Sequence, residues 1–233
     1  MWKSLLAATL VIFVSVVLSA AERKQPDQVD TNKLLKEIAT ASIDKENISV
    51  VEWMPREFWE VVLAKDPTTD QHSIDQVMQT LGSNAIVAIV QADVGMFGTY
   101  TYYPRYKVEG NTRMYYVDAL SMRHDLVPID PPNADFAMML EVFKPIFKSA
   151  LGSLGENLHL FVVADTAEDG HRIMDPYVEG QMVFELGVTG GGQISLEISA
   201  PLDALYIPRK CPNGRDAHVS WKYCPWTGEK LPD

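Results

Sequence analysis

Cysteine is almost missing from this chain: two among 233 residues, Cys211 and Cys224, each followed by proline. No Cys-x-x-Cys pair occurs, which argues against dithiol redox chemistry. Basic side chains are scarce too, 20 Lys and Arg against 31 Asp and Glu, for a net charge of −11. Nucleic-acid binding rests on neutralising phosphates with Lys and Arg, so that class is disfavoured, as is attraction of the whole chain to anionic membranes. The sequence has no Gly-x-Ser-x-Gly elbow; the run Gly152–Gly155 has the wrong spacing. None of His72, His124, His159, His171 and His218 shows the His-x-x-x-His spacing of a helical metal site. The glycine run Gly187–Gly192 lacks the lysine and helix of a phosphate loop and reads as a hairpin connection. No cofactor is implied.

What is present begins with an apolar run, Leu5–Leu18, preceded by Lys3 and followed by Ser19-Ala20-Ala21. This is the pattern of a secretory signal peptide, with cleavage expected near Ala21. An uncleaved anchor is the alternative, because the run approaches the length of a short span. No later stretch is long and apolar enough to cross a bilayer. The mature chain is therefore expected in the periplasm or outside the cell, with 19 basic and 31 acidic residues.

Residues 22–47 read as a polar leader and a short helix capped by Asp30 or Thr31 and running to about Ala41. A strand is expected at Ile48–Trp53, then a helix opened by Pro55, and a second from about Asp70 to Leu81, ended by Gly82. Ala85–Val90 is apolar on both faces, as in a central strand. The tyrosine-rich stretch 99–120 reads as a hairpin turning at Glu109-Gly110-Asn111. A long helix starts near Asn133, with an apolar stripe of Phe136, Leu140, Phe143, Phe147 and Leu151 and a kink at Pro145. Strands follow at 157–164, 180–186 and 193–199. The expected fold class is α+β, a mainly antiparallel sheet with helices packed on it, over residues 48–207.

An internal echo runs through this body. Leu81–Asp93 resembles Leu154–Asp165, and Tyr106–Val117 parallels Tyr177–Leu186, at offsets that drift only from 73 to 70 residues. If the echo is a duplication, two helix-plus-meander units, 55–127 and 133–207, would pair and leave a groove where they meet, a favoured place for ligands. Helix-Gly-strand and Val-Glu-Gly patterns are also common by themselves.

Two residue groups stand out for function. Tyr100, Tyr102, Arg105, Tyr106, Arg113 and Tyr115, with Tyr103 and Tyr116 among them, combine the side chains that favour recognition surfaces. Strand propensity alone would also place tyrosines there. The loop 165–175 gathers Asp165, Glu168, Asp169, His171 and Asp175. Such oxygens can hold calcium, with Asp165, Asp169 and His171 as the ligands to test, but no calcium register is matched and a solvated acidic loop is the simpler reading.

The segment "CPNG … KYCPWTGEKL", within residues 209–231, resembles a zinc ribbon, whose two Cys-Pro-x-Cys-Gly knuckles are joined by a short hairpin. Here Gly214 and Thr227 stand where the second cysteines would be. With only Cys211, Cys224, His218 and a poor fourth ligand in Asp216, a closed zinc site is incomplete. The resemblance implies that the two sulfurs lie close, and in an oxidising compartment a Cys211–Cys224 disulfide is expected, worth about 3 kcal/mol to the tail. A retained metal site is the alternative. Residues 208–233 thus form a small appended hairpin. The function expected is non-catalytic binding of a protein or small ligand; the alternatives are a carboxylate- or metal-dependent envelope hydrolase and a structural subunit of an envelope assembly.

Overall fold

The structure, a computed structural model, describes residues 21–131, 133–151, 154–167 and 169–231. The expected signal peptide, apart from Ala21, and Glu168 of the acidic loop lie outside these residues. Two antiparallel sheets and a layer of helices enclose one main core.

The first sheet is built from β1 (Ala39–Ile43), β2 (Asn47–Met54), β3 (Asn84–Val94), β4 (Tyr100–Tyr102) and β7 (His159–Ala164). Its order is β1-β2-β3, and both β4 and β7 pair with β3. β3 is buried on both faces from Ala85 to Ala92, which explains why its sequence is apolar without alternation. The second sheet has the order β6-β5-β8-β9, from β5 (Thr112–Asp118), β6 (Arg123–Leu126), β8 (Gly180–Gly187) and β9 (Gln193–Ala200). β9 alternates exposed and buried positions, so one face of this sheet meets solvent.

The helices are α1 (Thr31–Glu37), α2 (Arg56–Lys65), α3 (Gln71–Leu81), α4 (Arg105–Asn111) and α5 (Ala134–Leu151). Asp30 caps α1 by accepting from the N–H groups of Asn32 and Lys33, and Asp70 caps α3 through Ser73. Trp59 of α2 packs on Phe143 and Phe147 of α5, at centroid distances of 4.4 and 6.1 Å. Across the other face of the first sheet, Trp53 of β2 meets Tyr116 of β5 at 6.0 Å, and Gln91 of β3 reaches the carbonyl of Gly187.

Three expectations need correction. The first helix stops at Glu37, and Ala39–Ile43 is the edge strand β1, in which the β-branched Thr40 and Ile43 favour an extended chain that pairs with β2 along its whole length. The leader is tied down: Arg23 bridges Tyr206, and Glu22 accepts from the Ile207 N–H. The tyrosine-rich stretch is not a hairpin. Pro104 opens α4, Glu109-Gly110-Asn111 is its last turn, and the arms on either side belong to different sheets.

The two echoed spans meet in pairs: β3 lies antiparallel to β7 and β5 antiparallel to β8. The helix-plus-meander picture is modified, since each span distributes its strands over both sheets. Gly82 ends α3 with φ +54°, whereas Gly155 is buried at the start of a 3-10 turn, so these two glycines do different work.

The tail carries its own small core of Cys211, Ala217, Cys224 and Leu231 under the two-residue strands β10 (Arg209–Lys210) and β11 (Asp216–Ala217). Val219 N–H donates to Asp203 and fixes the tail to the body.

Candidate functional site

A cleft of about 300 Å³ lies where β5 and β6 of the first span face the loop 171–179 of the second. Cross-strand register brings its floor together. Tyr116 pairs with His124 on one side and with Met182 on the other, so the phenol and the imidazole point to the same face of the second sheet. Gly180 leaves room for the phenol: a Cβ there would overlap the Tyr116 hydroxyl.

Tyr116 is 2% exposed and its hydroxyl has no partner among the described residues, a state shared by the Tyr102 hydroxyl and the Trp53 and Trp59 ring N–H groups; of these four residues, Tyr116 alone lines the cleft. Buried polar groups are rarely left so, and the cost of an unmade bond is about 1–3 kcal/mol. Burial first, then the charges of Asp175 and Asp165, push the phenol above its usual range, so it stays a donor.

Two imidazoles flank this donor, with ring centroids 6.3 Å apart. His124 donates from Nε2 to Asp118 Oδ2 at 2.9 Å, and His171 is bound through Nδ1 to Asp169. A carboxylate can only accept, so in the neutral imidazole each pairing fixes the tautomer and leaves the other ring nitrogen as an acceptor. The bond from His124 holds Asp118 below the usual carboxylate range, and the backbone N–H and ring of His171 do the same for Asp169.

The loop that carries His171 is pinned by Arg172. Its guanidinium grips Glu57 of α2 with bonds of 2.5 and 2.9 Å and Asp165 with one of 2.6 Å. Asp165 also accepts from Met174 N–H at 2.6 Å. Two buried carboxylates share one cation, and burial lifts Asp165 to about 6 against the pull of Arg172. Arg172 separates the cleft from a second hollow of about 260 Å³ beside Gly82 and Asn84. A wider groove of about 570 Å³ over α2 and α3 has its polar walls paired with themselves, Arg56 to Glu60 and Gln71 to Asp75.

The residues named from sequence are dispersed. Tyr100 and Tyr102 lie together on β4, Tyr106 stands exposed on α4, and Arg105 turns inward to the carbonyl of Leu160 and the Phe161 ring. Arg113 and Tyr115 are on β5 in the other sheet, where Tyr115 stacks under Arg123 and bonds Glu185. They form no single surface. Tyr103 is structural: its hydroxyl donates to Asp93 and accepts from Thr189, tying the glycine-rich loop to β3. Asp165, Asp169 and His171 do not converge on a metal, because Asp165 is taken by Arg172 and Asp169 by His171; no group of three such side chains placed for a metal occurs among the described residues. His159 binds the Tyr103 carbonyl at 2.8 Å.

Cys211 and Cys224 come together as expected but stand as free, buried thiols, the first donating to the second. Burial raises Cys211 to about 11. At Cys224 burial acts the same way, but hydrogen bonds from Cys211, the Thr227 hydroxyl and the N–H groups of Trp226 and Thr227 outweigh it and bring the thiol down to about 7. Sequence reasoning missed Tyr116, His124 and Asp118 as one site; the signal was the alternation of Tyr116 and Asp118 along β5.

No family model matches the chain, and no curated protein matches it. Among solved structures, the crystal structure of a DUF4426 family protein from Pseudomonas aeruginosa PAO1 is similar at a TM-score of 0.33 and 6% identity, covering 70% of this chain and 92% of that one.

Proposed function

We propose that this is an exported, non-catalytic binding protein whose small ligand sits in the cleft over Tyr116. The observation that carries the reading is the buried, unpartnered phenol at the floor, flanked by two carboxylate-oriented imidazoles. A ligand fitting this site offers an acceptor to the Tyr116 hydroxyl and a donor to His124 Nδ1 or His171 Nε2. Export rests on the N-terminal apolar run and its small-residue junction, and a Cys211–Cys224 bridge would follow in an oxidising compartment.

Native mass spectrometry of the protein purified from the envelope tests it. A non-covalent adduct present in the wild type and lost in Tyr116→Phe, with the circular dichroism spectrum unchanged, is the expected result. No adduct, or an adduct that Tyr116→Phe retains, overturns the reading.

One observation favours hydrolysis as a second reading. In its neutral form, each Asp-paired imidazole has a second ring nitrogen able to take a proton from water. Turnover of p-nitrophenyl acetate, abolished in His124→Ala, would establish it; equal background rates in both proteins would remove it.

A further inference from the structure

The tail inverts the usual order of burial. Its small side chains, Cys211, Ala217 and Cys224, are inside with Leu231, while its largest apolar groups stand outside: Trp221 at 36%, Trp226 at 47% and Tyr223 at 60% exposure. Four side chains form a continuous row. Arg215 lies over the Trp226 ring at 5.0 Å, Trp226 meets Trp221 at 5.7 Å, and Trp221 meets His218 at 6.0 Å.

Charge is segregated in the same sense. Residues 1–208 hold 15 basic and 28 acidic side chains, whereas residues 209–233 hold 5 basic and 3 acidic. The acidity of the whole chain therefore says little about this end, because charges farther than about 8 Å from a surface are screened at physiological salt. Tryptophan, tyrosine and basic side chains are the combination found at the headgroup layer of a bilayer.

The topology adds an independent argument. The backbone at Glu22 and Lys24 bonds to Ile207 and Leu205, so the chain enters the body beside the root of the tail. The apolar run Leu5–Leu18 precedes that point directly in sequence. A membrane engaged by that run, during export or as an anchor, would be separated from the root of the tail by only a few residues of chain.

We propose that the C-terminal hairpin is a contact site for the surface of an anionic bilayer, with Trp221 and Trp226 in the headgroup layer and Arg215 and Lys222 paired with lipid phosphates. Two aromatic rings with a few cations give shallow, reversible seating rather than insertion.

Quenching of tryptophan fluorescence by brominated lipids reads this contact whether or not the N-terminal run is retained. The purified exported protein is mixed with vesicles of brominated phosphatidylcholine and phosphatidylglycerol at 7:3. Trp53 and Trp59 are buried, so the part of the signal removed in Trp221→Phe/Trp226→Phe reports the tail. That part is expected to be quenched on anionic vesicles, with the quenching falling roughly tenfold in Arg215→Glu/Lys222→Glu and relieved in 0.5 M salt. Absence of quenching in the tail signal, or equal quenching on pure phosphatidylcholine, overturns the proposal. Protection of the tail by soluble polyglutamate but not by vesicles overturns it too, in favour of an acidic polypeptide partner.

Discussion

Tyr116 and Gly180 show how much one side chain can decide. The phenol fits under β8 because position 180 has no Cβ, and the Tyr116 ring already fills the space that one would need. Gly180→Ala should destabilise the protein by about 1–3 kcal/mol, as overpacking does, and displace the phenol from the cleft. Urea denaturation measures the first effect, and a urea midpoint equal to wild type would contradict it. A second residue-scale test concerns Asp165. Its carboxyl is raised in the folded state to about 6, so the folded form holds the proton more tightly than the unfolded chain does. The resulting stabilisation is full below about pH 4 and is lost as pH rises through 6. Relative to Asp165→Asn, the wild type should lose about 2 kcal/mol between pH 4 and 7. Parallel stability curves for the two proteins across that range would refute the assignment.

At the scale of elements, the loop 171–179 holds one wall of the cleft without a helix or named strand of its own, and the Arg172 triad substitutes for one. Removing the cation leaves Glu57 and Asp165 buried and facing each other, so Arg172→Ala should cost about 3–5 kcal/mol and free the loop. Loss of hydrogen-exchange protection at Met174, with β5 and β8 still protected, is the expected signature; unchanged protection there would show that the loop is held otherwise. This triad is hidden from sequence reading because Glu57 and Arg172 lie 115 positions apart and nothing local to either residue announces the pairing. Patterns within one element are legible: the caps at Asp30 and Asp70, the doubly buried β3, the long α5 and the β8–β9 hairpin all follow from local periodicity and capping chemistry. The stretch 104–111 misleads for a local reason. Alternating tyrosines suggest a strand, but Pro104 supplies a helix start, and Val108 alone is buried on the short helix that follows. The candidate site is half legible. Its acidic loop is visible as composition, whereas the β5–β6 wall requires the register that places Tyr116 opposite His124.

At the scale of the whole molecule, the described residues form two cores of unequal size, and they should respond separately to redox state. The main core joins both sheets to the helices, while the tail rests on four buried residues, on Val219 packed against the main core, on Arg209 bonded to the carbonyls of His218, Val219 and Trp221, and on its anchor at Asp203. Four such side chains cannot by themselves offset the ordering of more than twenty residues, since burial returns at most a few kcal/mol and each ordered residue costs about 1–2 kcal/mol. The adjacent thiols are a further resource, and Cys224, brought down to about 7, supplies thiolate near neutral pH, the form from which a disulfide is made. Joining Cys211 to Cys224 should slow amide exchange at Leu231 and Cys224 about a hundredfold, matching the roughly 3 kcal/mol expected for a loop of this length, and leave β3 and β5 unaffected. The check is hydrogen exchange on oxidised protein, reduced protein and Cys211→Ser, with intact mass confirming the bridge. Equal protection of the tail in all three would mean that the anchor at Asp203, rather than sulfur chemistry, holds it in place.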